Sequence, residues 1–78
     1  KGAVYYHATQ IVEWFVGQIR LCTDGWQTPT TKRRMNQASE YFGLGFRVYQ
    51  KDYRWYVEYQ GKVYGFYQNQ TITLRRKN

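Results

Sequence analysis

From Phe46 onward the chain alternates apolar and polar side chains with a period of two, broken at short turn signals. Period two belongs to half-buried strands and cannot be sustained by a helix. The segments Phe46 to Lys51, Arg54 to Tyr59, Lys62 to Tyr67 and Thr71 to Leu74 therefore read as four strands. Asp52-Tyr53, Gln60-Gly61 and Gln68 to Gln70 supply the turns. A two-residue first loop sets Val48 against Val57, Tyr49 against Tyr56 and Arg47 against Glu58, each a sensible cross-strand pair. By the same alternation Phe46, Val48, Trp55, Val57, Tyr64, Phe66, Ile72 and Leu74 form the core face.

Upstream, Ile11 to Val16 and Ile19 to Cys22 flank Gly17-Gln18 and read as a hairpin. This loop would oppose Val16 with Ile19 and Trp14 with Leu21. Val12, Trp14, Val16, Ile19 and Leu21 then share an inner face, with Glu13, Phe15, Arg20 and Cys22 on the other. Ala3 to Tyr6 looks extended, but residues 1–10 have no assigned role.

Between the two β regions lies the one segment with helical character. Thr30 is the expected N-cap, with Thr28 as an alternative that puts Pro29 at the first helical position. The helix is expected from Thr31 to about Phe42, ending at Gly43. At 100° per residue Thr31, Met35, Ala38 and Phe42 fall on one side, and Arg33, Asn36, Gln37 and Glu40 on the other. The expected fold is α+β: an antiparallel sheet made of an N-terminal hairpin and a C-terminal meander, one helix packed on one face, order β-β-α-β-β-β-β. Arg75 to Asn78 is expected to be a mobile basic tail.

At 78 residues this is one small basic domain, too short for the large α/β enzyme folds. A chain of this size buries only about 60% of its unfolded surface, so its core needs large side chains. Aromatic residues, 21% of the sequence, provide them. Cys22 stands alone and can form no internal disulfide, so a reducing, intracellular (cytoplasmic) setting is expected. No apolar run approaches the ~20 residues of a membrane span. The single histidine, His7, and the scattered carboxylates give no acid–base pair. Neither a phosphate loop nor a metal-binding spacing is present. A Cys22–His7 nucleophile pair is disfavoured against Cys22 as a small apolar filler. No enzymatic activity and no cofactor or metal are expected.

The charge balance is informative: 12 Lys and Arg against 5 Asp and Glu, a formal +7. Lys32, Arg33 and Arg34 occupy the first turn of the helix, where aligned peptide dipoles already carry about half a positive charge. Each cation there costs some tenths of a kcal/mol, and a sequence shaped by folding alone would place acids instead. With Thr30 and Thr31 they make a candidate phosphate receptor. Mere solubility would explain the charges but not their position. Asn36 and Gln37 have the amides that contact base edges, although an exposed helix face is commonly just polar. A second candidate surface is the outer sheet face, where Arg47, Tyr49, Lys51, Arg54 and Tyr56 alternate cations with stacking rings. Gly65 opposite Tyr56 would leave that ring uncovered. The competing explanations are that cross-strand tyrosines simply stabilise the sheet, or that the N-terminal hairpin covers this face.

The run Gly25-Trp-Gln-Thr-Pro-Thr-Thr-Lys-Arg-Arg-Met-Asn-Gln37, with Phe46-Arg-Val-Tyr-Gln-Lys-Asp52 and Trp55-Tyr-Val57, resembles a group of small phage and prophage proteins. Their shared pattern is GWxTxTTKxRMNQ followed by FxVxQKDxxWFV. The resemblance spans Gly17 to Leu74 and leaves out Lys1 to Gln10 and the tail. It implies a phage-related origin and treats Thr30 to Gln37 as one unit, but brings no activity. The expected function is non-enzymatic nucleic-acid binding. The alternatives are a phage-encoded inhibitor docking on an acidic host protein, or a structural subunit of a particle. Strandedness, DNA against RNA, and oligomeric state stay open.

Overall fold

A computed structural model of the protein describes residues 1–6, 8–25, 27–67 and 70–76. His7, Trp26, the turn residues Gln68 and Asn69, and the last two tail residues lie outside the described residues. The elements are β1 (Gly2–Tyr6), β2 (Thr9–Trp14), β3 (Gln18–Cys22), α1 (Pro29–Tyr41), β4 (Phe46–Lys51), β5 (Arg54–Tyr59), β6 (Lys62–Gly65) and β7 (Thr71–Arg75). They form the expected α+β architecture of antiparallel strands and one helix. The structure adds a strand at the N-terminus and divides the strands between two sheets, ordered β1-β2-β3-β7 and β4-β5-β6.

The β4–β5 hairpin has the anticipated register, with Val48 against Val57, Tyr49 against Tyr56 and Arg47 against Glu58. Asp52 and Tyr53 both take positive φ (53° and 65°), the type I′ geometry that follows the right-handed strand twist. Gln60 and Gly61 repeat that geometry between β5 and β6.

The β2–β3 hairpin is displaced by two positions from expectation. Trp14 faces Ile19 and Val12 faces Leu21, so the turn lies at Val16-Gly17. A shift of two keeps every side chain on its face, and Val12, Ile19 and Leu21 are fully buried as anticipated. Only Val16 is misplaced, 76% exposed at the turn tip.

β1 pairs with β2 through a bulge: Val4 faces Val12 and Tyr5 faces Gln10, leaving Ile11 unmatched. The bulge turns Ile11 inward beside Val12, and both are fully buried although adjacent in sequence. Gly2 lies under the Trp14 indole, where any Cβ would collide with the ring.

The helix is capped by Thr28, whose Oγ1 accepts from the Thr31 N–H at 3.2 Å, with Pro29 at the first helical position. Proline loses nothing there, which decides between the two candidate threonines. Thr31, Met35 and Ala38 are buried as expected; Phe42 is half exposed and lies against Trp14 at 4.5 Å.

β7 leaves the expected meander and pairs with β3 from Gln18–Arg75 to Cys22–Thr71. It carries Ile72 and Leu74 into the cluster shared by both sheets and α1. Arg75 thus belongs to a strand rather than a mobile tail. The Arg76 N–H donates to the Gly17 carbonyl, and its guanidinium donates to the Phe15 carbonyl at 2.7 Å. Tyr64, expected in the core, is 38% exposed because β7 does not cover it.

Candidate nucleic-acid interface

The helix fixes the position of everything else at the site. The Asn36 amide donates to the Val48 carbonyl and accepts from the Val48 N–H, both at 2.8 Å. One turn later the Ser39 hydroxyl does the same for Phe46, at 2.6 and 2.9 Å. Two helix side chains therefore satisfy the outer edge of β4 as a neighbouring strand would, and α1 runs antiparallel to β4. Asn36 is thus a structural residue, with both ends of its amide committed to backbone. The side chain expected to contact bases is turned to the β4 edge instead of to solvent. A polar helix residue facing a strand edge has the same sequence signature as one facing water.

Antiparallel docking carries the helix N-terminus toward the β4–β5 turn. Lys32 extends over the Trp55 ring, its Nζ 5.8 Å from the centroid, and Trp55 is the cross-strand partner of Gln50. Next along the hairpin, Lys51 lies directly opposite Arg54. Arg33, exposed, lies on the outer side of the helix at this same end. Lys32 and Arg33 thus lie toward the same end of the molecule as Lys51 and Arg54. Lys32 is on the inner, Trp55 side of the hairpin and Lys51 and Arg54 are on its outer face, with the exposed Asp52 at the tip of the turn. Among the described residues none of the four has an ion-pair partner; the one ion pair, Arg20 to Glu13 at 3.5 Å, lies on the other sheet.

The structure separates the remaining candidates. Arg34 turns to the opposite flank of α1 and sits over the Tyr6 ring at 5.5 Å. Gln37 is exposed on that flank, beside Val4, Arg34 and Tyr41. Successive residues of a helix diverge by 100°, so three consecutive cations cannot form one patch. Thr31 is buried, its N–H and hydroxyl both engaged with Thr28. The Lys32 N–H bonds the Thr28 carbonyl and Pro29 has no N–H, so among the described residues the Thr30 N–H is left alone at the helix start. The expected backbone cradle for phosphate is therefore largely self-occupied, and any grip on anions comes from side chains. Arg47 stands at the far end of β4, directly opposite Glu58.

On the outer face, Tyr49 and Tyr56 stack on each other with centroids 5.6 Å apart and planes at 27°. Both are partly buried, and the N-terminal strands pack on the opposite, inner face. Gly65 stands beside Tyr56 as anticipated. The space above it is not open, however: a Cβ on Gly65 would meet the Tyr67 ring at 3.2 Å. Tyr67, Tyr53, Tyr56, Arg54, Gly65 and Gln27 border a cleft of about 160 Å³. Gln27 is held there by its Nε2 donating to the Phe66 carbonyl at 2.9 Å. Tyr53 is 95% exposed at the hairpin tip. Alternation does not pick out Tyr53 or Gln27, which lie outside the expected strands, whereas Tyr67, the last residue of the expected strand Lys62 to Tyr67, alternates outward next to the core residue Phe66. The signal available was an aromatic in a type I′ position that normally takes Asn or Gly.

These features define a small antiparallel α+β protein with Lys51, Arg54 and the exposed Tyr53 at the β4–β5 turn and its other cations spread over the surface. The chain belongs to the Kyanoviridae Gp96 protein family, a family of phage proteins, whose model matches residues 1–73. The match includes the first ten residues, which lie outside the phage-group resemblance and contain β1. No curated protein and no solved structure matches the chain.

Proposed function

We propose that this phage protein is a non-enzymatic nucleic-acid-binding module that takes a single strand across its β4–β5 outer face. The observation that carries the reading is the placement of Lys51 directly opposite Arg54, with Lys32 and Arg33 at the same end and no carboxylate paired to any of them among the described residues. Like charges directly opposite in a sheet are destabilising, as are cations in the first turn of a helix. Both costs are offset when a polyanion lies between the charges. The adjoining row, Tyr49 and Tyr56, offers ring edges and faces at strand spacing, suited to unpaired bases on a phosphate track. Lys32, Arg33, Lys51 and Arg54 would hold phosphates; Tyr49, Tyr56 and the exposed Tyr53 would stack bases.

Fluorescence anisotropy with labelled single- and double-stranded oligonucleotides tests this. Four phosphate contacts on a single strand predict a slope near −3 in log Kobs against log[salt], roughly a fiftyfold loss between about 50 and 200 mM. Absence of binding to any DNA or RNA at the lower salt would reject the reading.

A further inference from the structure

β6 and β7 are consecutive strands but join different sheets. Between them the Gln70 N–H donates to the Tyr67 carbonyl at 3.1 Å and the Tyr67 N–H to Gln70 Oε1 at 2.9 Å. β6 pairs with β5 and β7 with β3, and the two do not pair with each other. The Phe66 N–H bonded to the Trp55 carbonyl fixes the alternation on β6: Phe66, Tyr64 and Lys62 turn their backbone to β5, while Val63 and Gly65 turn theirs to the open edge. The Arg76 N–H bonded to Gly17 does the same for β7, leaving Thr71, Thr73 and Arg75 outward. Between these edges runs a groove of about 290 Å³ bordered by Tyr59, Gln60, Lys62, Tyr64, Thr73 and Arg75.

The outer edge of β4 is closed by Asn36 and Ser39, whereas the β6 and β7 edges carry no such cover among the described residues. Open edges invite strand addition, and Val63, 56% exposed, and Tyr64 give an added strand apolar contacts. The charge selects the occupant. Lys62 and Arg75 border the groove, neither has an ion-pair partner among the described residues, and no carboxylate lines it. A second copy would bring +7 against +7. We propose that the β6/β7 groove receives an extended acidic segment of a partner protein, added as a strand along one or both open edges. The groove lining shares no residue with the Tyr49/Tyr56 face, so Val63, Thr71, Thr73 and Arg75 report on it independently of nucleic-acid binding, whereas Gly65, beside Tyr56, reports on both.

The test is amide mapping of ¹⁵N-labelled protein with the blocked peptide TEVEVET, against TKVKVKT as control. The expected result is shift changes and slowed hydrogen exchange at Val63 and Gly65, at Thr71, Thr73 and Arg75, or at both sets, with the acidic peptide binding roughly tenfold or more tightly than the control. The double variant K62E/R75E, folded by the same spectrum, should reverse that preference. No change at millimolar peptide, equal binding of both peptides, or changes confined to the Tyr49/Tyr56 face would overturn the proposal. So would an oligonucleotide that perturbs the same amides as strongly. Protection of these amides in the free protein together with concentration-dependent size would overturn it in favour of a second copy in the groove.

Discussion

Replacing Lys51 and Arg54 together by threonine should weaken single-strand binding by roughly ten- to thirtyfold at low salt and halve the salt slope, to about −1.5. The same change should leave thermal stability unaltered or slightly raised. Both effects come from one geometric fact, that the two side chains are cross-strand partners on the outer face. In the free protein they repel, so their removal relieves a penalty of some tenths of a kcal/mol, and threonine is a good strand residue. In a complex they would share the phosphate track, and each lost contact retains one more counterion. Opposite movement of affinity and stability is the signature of charges kept for a ligand. Parallel loss of both would mean that the pair serves the fold, and an unchanged affinity would place the binding surface elsewhere. Anisotropy titrations at two salt concentrations with a melting curve on the same sample give all three quantities.

Asn36→Ala is expected to act in the reverse sense. The Val48 N–H and C=O both lose their partner at a partly buried edge, and the fold should lose about 2–3 kcal/mol. For a domain of this size that corresponds to a drop in Tm of roughly 10–20 °C. Asn36→Asp should lose at least as much, because a carboxylate oxygen would then face the Val48 carbonyl. At a temperature where the variant is still folded, its affinity for an oligonucleotide should stay within about twofold of the parent, since the side chain faces β4 and not the ligand. Calorimetric or optical melting gives the first quantity and anisotropy the second. A stable Asn36→Ala protein with abolished binding would reverse the assignment and return this residue to the interface.

How far the residues alone disclosed this structure varies by element. β4 and β5 were legible down to register because three constraints coincide there: alternation, a two-residue turn and matched cross-strand pairs. The β2–β3 hairpin kept its faces but slipped by two, since Val16 is β-branched and apolar and reads as strand although it sits at the turn. β1 was hidden by the bulge at Ile11, which breaks the period that would have revealed its pairing. The departure of β7 to β3 could not be read locally, because Ile72 and Leu74 can bury themselves against either sheet.

For the site, residue types were visible but their directions were not. Lys32, Arg33 and Arg34 are adjacent in sequence, yet Arg34 leaves for the opposite flank of the helix. Asn36 and Gln37 are adjacent too, and one faces a strand edge while the other faces solvent. The convergence of Lys32 and Arg33 with Lys51 and Arg54 depends on the antiparallel docking of α1 on β4, set by Asn36 and Ser39, and no pattern within either element announces it. The helix start keeps its electrostatic significance in altered form. Its backbone groups are mostly occupied by Thr28, whereas the cations remain without carboxylate partners among the described residues.

The most direct measurement is amide and side-chain shift mapping of the ¹⁵N-labelled protein as a short single-stranded oligonucleotide is added at low salt. Changes should concentrate at Lys32, Arg33, Tyr49, Lys51, Tyr53, Arg54 and Tyr56, with Glu13 and Arg20 on the other sheet unmoved. Changes centred on Arg34, Gln37 and Tyr6, or on the Glu13–Arg20 face, with the β4–β5 turn silent, would contradict a single strand lying across the β4–β5 outer face.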